Sequence, residues 1–407
     1  MNPPFDSFRR KTIRQLIAPL AGLAIVAVCG VAGAEDWPVV RGDILGSGVA
    51  QTTLPDTLEV VWTYKAPDDA GFDATAVIAG GVIYVGDNAG TFHAVRLADG
   101  KPVWTKTFED SSFAAGAAID KDRLYVGDLN GVVRCLATSD GTQIWEAAPL
   151  DGEIYAGPTP YGEDILVTSE AGTLSWLNAA DGKQRLPQFK IEAPLRCTPT
   201  ISAGHVMLSG CDSLLHVVNA ADGKETNTVE IDGPTGSTAA MRGERVYFGT
   251  EGGTFFAIDV SADGNAKPAV AWTYRDPQRG QPIRTAAAVT DDIVVYGSQG
   301  KAIYALNPTN GEVKWKLPTR NRIESSPVIA GNRVVVATAA GKLYLIDAAS
   351  GEVIFENDFG GSFAASPAVV DGRIIIGNGD GTLYCFGAQD AEKQSATEVT
   401  ESTEASR

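Results

Sequence analysis

Eight short apolar segments recur along the chain, each running through a tight turn into a second apolar strand: residues 83–95, 124–136, 165–177, 206–218, 246–258, 294–306, 334–346 and 374–386. Their starts lie 41, 41, 41, 40, 48, 40 and 40 residues apart. The segments are rich in β-branched and aromatic residues, and no helical spacing of apolar positions accompanies them. A period of about 40 residues holding four short strands predicts the blade of a β-propeller. The seventh unit shows the order: Ser325-Ser326-Pro327-Val328, a turn at 330–332, Val334-Val335-Val336, a Gly turn, Leu343-Tyr344-Leu345-Ile346, a turn at 348–351, and an outer strand ending in Phe355.

Punctuation residues orient the strands. Pro158, Pro199, Pro327 and Pro367 share one column, and a proline column is tolerated where a strand has a free edge, so this strand is predicted to be the innermost and to line a central channel. Gly90, Gly131, Gly172, Gly253, Gly341 and Gly381 share the second turn, where a positive φ is expected, with Ser213 and Lys301 as exceptions. Trp62, Trp104, Trp145, Trp272, Trp315 and Phe355 share the outer strand, and are assigned to packing between blades.

Leu58-Glu59-Val60-Val61-Trp62-Thr63-Tyr64 reads as an outer strand with no inner strands before it, and the eighth repeat ends at Phe386 with no outer strand after it. The sequence therefore predicts an all-β, eight-bladed propeller of four-stranded antiparallel blades over 58–386. The N-terminal strand completes the last blade and removes a free sheet edge. Residues 35–57 read as an extended lead, and 387–407, with five acids and two bases, as a disordered acidic tail.

The first 34 residues form a separate unit. Arg9, Arg10, Lys11 and Arg14 precede an apolar run that ends in Ala32-Gly33-Ala34, the pattern of a secretory signal cleaved before Glu35. An uncleaved anchor is the alternative, interrupted by Pro19; it would hold the protein peripherally at a membrane. Lys11 and Thr12 stand where a twin-arginine signal wants apolar residues, so Sec-type export to the periplasm or cell envelope is expected. Val28 before Cys29 argues against lipidation. The balance is strongly acidic: 33 Lys and Arg against 50 Asp and Glu give −17, and losing the leader's four bases and one acid leaves 29 against 49, or −20. A nucleic-acid partner is excluded on these grounds.

Leu97-Ala98-Asp99-Gly100-Lys101-Pro102-Val103-Trp104, the Ala-Ala-Asp-Gly-Lys strings at 179–183 and 220–224, and Asn307-Pro308-Thr309-Asn310-Gly311-Glu312-Val313-Lys314-Trp315 resemble the tryptophan-docking repeat of pyrroloquinoline-quinone-type propellers. The resemblance spans residues 37–386, and the lead Trp37-Pro38-Val39-Val40-Arg41-Gly42-Asp43 is similar to the opening of secreted bacterial members. It implies one of two branches, quinoprotein dehydrogenases or non-catalytic proteins of the BamB-like kind. The dehydrogenases resemble each other in a disulfide between adjacent cysteines, oxygen ligands for calcium and a catalytic Asp. This chain has no Cys-Cys pair, and only its 48-residue interval exceeds the period. The reading is therefore a non-enzymatic, monomeric scaffold for an envelope protein or peptide, with a quinone-dependent dehydrogenase as runner-up. A wall- or carbohydrate-binding module comes third.

No catalytic residue, cofactor site or metal site is predicted. His93 and His216 replace packing aromatics in the column of Tyr304, Tyr344 and Tyr384, and His205 is placed in a turn. The Asp-Asn-Ala-Gly and Asn-Gly-Asp-Gly strings at 87–90 and 378–381 read as turn chemistry rather than calcium loops. Arg41-Gly42-Asp43 spells an adhesion tripeptide of the frequency chance produces. Cys135 and Cys385 read as core residues. With Ser202 opposite His205, Cys197 and Cys211 become diagonal neighbours, and export predicts a disulfide between them, with two buried thiols as the alternative.

The candidate binding face is the channel mouth, where the loops enter the inner strands. It carries Asp73, Arg196, Arg284, Arg322 and Glu324, with Arg279 and Arg320 in the same loops and Asp87, Asp128, Glu170, Asp212 and Glu251 on nearby turns. Two readings stand: a solvated rim of internal salt bridges, or a docking site for an anionic peptide or small ligand.

Overall fold

In the computed structural model, which describes residues 35–261 and 266–388, the repeat unit folds as a four-stranded antiparallel sheet. The expected leader and nearly all of the expected acidic tail lie outside the described residues. Blade 1 runs Val77–Ala79, Val82–Gly86, Thr91–Arg96 and Pro102–Thr107, and seven further blades repeat it. The inner strands of blades 2 to 8 are Ala118–Asp120, Thr159–Tyr161, Thr200–Ser202, Ala240–Arg242, Ala288–Val289, Val328–Ala330 and Ala368–Val370. No described helix is long or apolar enough to cross a membrane.

The ring closes through blade 8, where Glu59–Lys65 pairs antiparallel with Thr382–Gly387, setting Val60 opposite Phe386 and Thr63 opposite Tyr384. A register shift accompanies the outer strand in blade 8 and, in the same position, in blades 1, 2, 4, 5, 6 and 7. Such bulges twist the exposed edge away from partners it would otherwise recruit.

The second-turn column behaves as its glycines predict, and Ser213 and Lys301 also take positive φ, 68° and 59°. The tryptophans dock blade to blade. Nε1 of Trp62, Trp104, Trp145, Trp272 and Trp315 donates to Leu97, Thr138, Ala179, Pro308 and Ala348 of the next blade at 2.9–3.0 Å. Each ring covers a glycine there; a Cβ on Gly311 would lie 2.5 Å from Trp272. Blade 3 lacks an outer-strand tryptophan, and Trp176 of its third strand reaches Ala220 of blade 4 instead.

The inner strands stand innermost as expected, and the lead occupies the channel they line. Residues 37–53 run through the shaft along the free inner edges. The backbone N–H at the middle of six inner strands donates to a lead carbonyl: Ile78 to Trp37, Ile119 to Pro38, Ile201 to Ile44, Met241 to Leu45, Val289 to Ser47 and Ile329 to Gly48, all at 2.7–2.9 Å. In blade 3 the same position is Pro160, which has no N–H to give, and the lead passes with Val40 packed on Gly116 and Gly157. Val49–Ala50 then pairs parallel with the inner strand of blade 7. At about 0.5–1.5 kcal/mol net per hydrogen bond, the six contacts together stabilise the ring by several kcal/mol. Trp37 and Val39, 2% and 4% exposed, add buried apolar area.

Candidate functional site

The mouth is built from the loops between each outer strand and the next inner strand. Inside them, each of several inner strands passes a backbone N–H to a hydroxyl of the next blade: Thr198 to Thr238, Ala286 to Ser326, Ser326 to Ser366 and Ser366 to Thr75, at 3.0–3.1 Å. This hydroxyl collar was legible as a Ser/Thr residue recurring one place before the proline column, a signal the repeat analysis passed over.

Above the collar stand the five predicted residues, and each is already engaged. Arg196 of blade 4 forks through Nε and Nη2 onto both oxygens of Glu170 of blade 3. Arg284 of blade 6 does the same to Glu251 of blade 5, at 2.8 and 3.3 Å. Arg322 pairs with Glu324 in its own loop at 2.8 Å, and Asp73 accepts from Asn88 at 2.8 Å. The hydrogen bond to glutamate holds the Arg196 and Arg284 guanidinium groups above their ordinary pKa, against a smaller opposing effect of desolvation. The basic patch is thus paired with carboxylates of the same face.

The structure brings Arg196 and Arg284 together and leaves Asp73, Arg322 and Glu324 outside their cleft. A cavity of about 440 Å³ is lined by Arg196, Cys211, Pro234, Gly236, Glu251 and Arg284. Gly236 is the notch between the two arginines, since a Cβ there would meet the Arg196 side chain at 3.0 Å. Both forks use Nε and Nη2, and the cavity wall carries the two guanidinium side chains beside the carboxylate of Glu251. A larger groove of about 670 Å³ opens at the rim between blades 2 and 3, where the outer strand shrinks to Phe189–Lys190.

The predicted disulfide is not formed, although the register behind it is correct, with Ser202 opposite His205. Cys197 lies fully buried beside Ser209, and Cys211 turns toward the Thr235 carbonyl at 3.6 Å. Both residues lie beyond the paired strands Thr200–Ser202 and His205–Ser209. Burial pushes the Cys197 thiol up to about 11 and raises Cys211 as well, making both poor nucleophiles. Cys135 and Cys385 are buried thiols, as expected.

Other chemistry-bearing residues serve the fold. Asp87 and Asp128, 1% and 0% exposed, are not rim charges; each caps its turn through two backbone N–H groups, and Asp87 also holds His93 at 2.8 Å. His93 and His216 occupy the aromatic column as predicted, whereas His205 begins the strand His205–Ser209 rather than lying in a turn. Arg41 is buried in the shaft with Nη2 on the carbonyls of Ala287 and Pro327, at 2.9 and 2.6 Å, which excludes the adhesion reading of its tripeptide. Desolvation pulls its guanidinium down to about 10, with Asp43 opposing in part.

A calcium-held quinone does not fit these residues. Among the described residues no three His, Cys, Asp or Glu side chains converge on a cation position. The mouth carboxylates of Glu170, Glu251 and Glu324 are each spent on an arginine, and the shaft beneath is filled by the lead.

Ring, repeat and docked tryptophans define a propeller of the quinoprotein-like type. A family model described as outer membrane protein assembly factor BamB matches residues 46–115, 109–186, 185–330 and 320–405, and the chain belongs to that family. Among curated proteins none matches the chain in sequence. Of solved structures, BamB from Moraxella catarrhalis is similar at TM-score 0.70 and 18% identity, over 82% of this chain and 100% of that one. Quinohemoprotein alcohol dehydrogenase from Comamonas testosteroni is similar at TM-score 0.71 and 16% identity, over 87% and 81%. A europium-containing methanol dehydrogenase gives TM-score 0.70 and 10% identity, over 87% and 98%. At these identities the structural likeness shows the fold, which binding proteins and enzymes share.

Proposed function

We propose that this protein is an exported, non-enzymatic propeller that docks an envelope protein or peptide at its channel mouth. The observation that carries the reading is the cleft between Arg196 and Arg284 above a shaft filled by the protein's own lead. A shaft occupied in this way supports surface docking over enclosure of a cofactor. Topology favours the same face: Glu35 and Gly387 both lie by the turn between the inner and second strands of blade 8, on the end opposite the mouth. The partner's chemistry follows from the cleft. Two guanidinium edges beside fixed glutamates suit a polar peptide segment that carries a carboxylate and a backbone donor. Exposed aromatics, which a carbohydrate module would need, are reduced to Tyr155 among the exposed large hydrophobics of the described residues.

Affinity capture from envelope extracts tests this. The wild-type protein is expected to retain a partner at moderate salt that the Arg196→Ala/Arg284→Ala variant loses. Equal capture by both would sink the mouth assignment. Dye-linked alcohol or sugar oxidation after incubation with pyrroloquinoline quinone and calcium would instead establish the dehydrogenase reading.

A further inference from the structure

The first described residue is held at both of its polar ends. The backbone nitrogen of Glu35 donates to Asp371 Oδ1 at 3.1 Å, and the backbone nitrogen of Asp371 donates to Glu35 Oε2 at 3.4 Å. Asp371 stands in the tight turn between the inner and second strands of blade 8, with φ of 49°. One residue on, Asp36 Oδ1 accepts the N–H of Gly80 in the equivalent turn of blade 1 at 2.9 Å. Trp37 then exchanges both backbone hydrogen bonds with Ile78. Three consecutive residues therefore bridge blades 8 and 1 at the shaft, the same two blades that Trp62 of the closing strand joins at the rim.

We propose that hydrolysis of the Ala34–Glu35 bond turns this nitrogen into an α-ammonium group that forms an ion pair with Asp371, so that removal of the leader completes the inner latch of the ring. The inference rests on the export half of the reading above and on the Ala32-Gly33-Ala34 site. In the cleavage, catalysed by an envelope endopeptidase of the signal-peptidase class, water gives its hydroxyl to the Ala34 carbonyl carbon as the C–N bond breaks. Its proton goes to the Glu35 nitrogen, which takes one more from solvent at neutral pH. A neutral amide donor then becomes a charged one facing a carboxylate, and charge-assisted bonds of this kind are roughly twice as strong.

The groups around the nitrogen all favour the charged form. They are Asp371 from blade 8, the side chain of Glu35 itself and, next along the lead, Asp36. Arg373, two residues beyond Asp371, is turned away onto the carbonyls of Leu97 and Ala98. An α-amino group ordinarily titrates at about 7.7–8.0, and these acids raise it. A raised folded value contributes stability that is complete below the ordinary value and lost as pH rises through the folded one.

The experiment uses the full chain expressed with its leader and purified from the envelope. Mass spectrometry of the terminal peptide is expected to begin at Glu35. The α-amine, followed by pH-dependent reductive methylation, is expected to titrate about half a unit above the ordinary range, as suits an exposed pair. In Asp371→Asn, which keeps a residue type tolerant of positive φ, it should return to that range. The fall in melting temperature between pH 7 and 9.5 should also be larger in wild type than in the variant. A retained leader or another terminus overturns the proposal. So does an α-amine that titrates alike in both proteins, which would leave export itself intact.

Discussion

Two kinds of arginine stand near the mouth-side ends of the inner strands, one in the shaft and one on the rim, and they live under opposite conditions. Arg41 in the shaft is 2% exposed and bonded through Nη1 and Nη2 to backbone carbonyls of blades 6 and 7, with its buried Nε unpartnered. At the mouth, the Arg196 and Arg284 side chains are each 56% exposed and satisfied by glutamates. A buried guanidinium cannot let go of its carbonyls without leaving polar groups dry, whereas an exposed ion pair contributes little to folding and exchanges partners at small cost. Charge that stabilises the ring and charge that is free to meet a partner are thus segregated by depth along one axis.

Deleting residues 35–53 while keeping the closing strand is the severest test of this contrast. It should expose six inner-strand edges and abolish soluble, cooperatively unfolding protein; a variant with unchanged melting would mean that the shaft contributes nothing. Deleting 58–64 should be comparably damaging, because blade 8 would lose its outer strand. Next in size, Arg41→Met should cost about 2–4 kcal/mol in chemical denaturation, since three carbonyls lose a charged donor.

Acid titration probes an ion pair of intermediate burial. Burial alone would raise the Asp276 carboxyl, but hydrogen bonds from Lys316 and Tyr304 hold it well below the usual carboxylate range. A depressed folded value contributes stability above the ordinary value that is lost as pH falls through the folded one. Lys316→Met should therefore be less stable than wild type at neutral pH, with the gap closing below about pH 4. A gap independent of pH would mean that Lys316 acts by packing alone.

The smallest expected effect sharpens the comparison from the other side. Arg196→Ala and Arg284→Ala should each change stability by less than about 1 kcal/mol, while abolishing partner capture. Thiol counting on native, non-reduced protein belongs with these mild tests. Cys135, Cys197, Cys211 and Cys385 should all alkylate after unfolding, and recovery of a Cys197–Cys211 peptide would show that the two strands rearrange on export.

Period, turn glycines and proline column were legible from the chain, because each is a local backbone requirement averaged by repetition, over eight segments, six glycines and four prolines, and the closing strand was legible as the one outer strand without inner partners. The tryptophan column was legible for the same reason, though not the substitution of Trp176 in blade 3, since a ring on the third strand breaks the column while filling the same space. The five mouth residues could be placed on one face by register alone. Which of them meet could not, because Arg196 and Arg284 share one cavity with Gly236 only once three blades stand side by side. The lead carries no repeat, and its carbonyls have no sequence signature. Only the closed ring turns six free strand edges inward onto one axis, and only then does a segment with unremarkable side chains become the partner those backbone groups require.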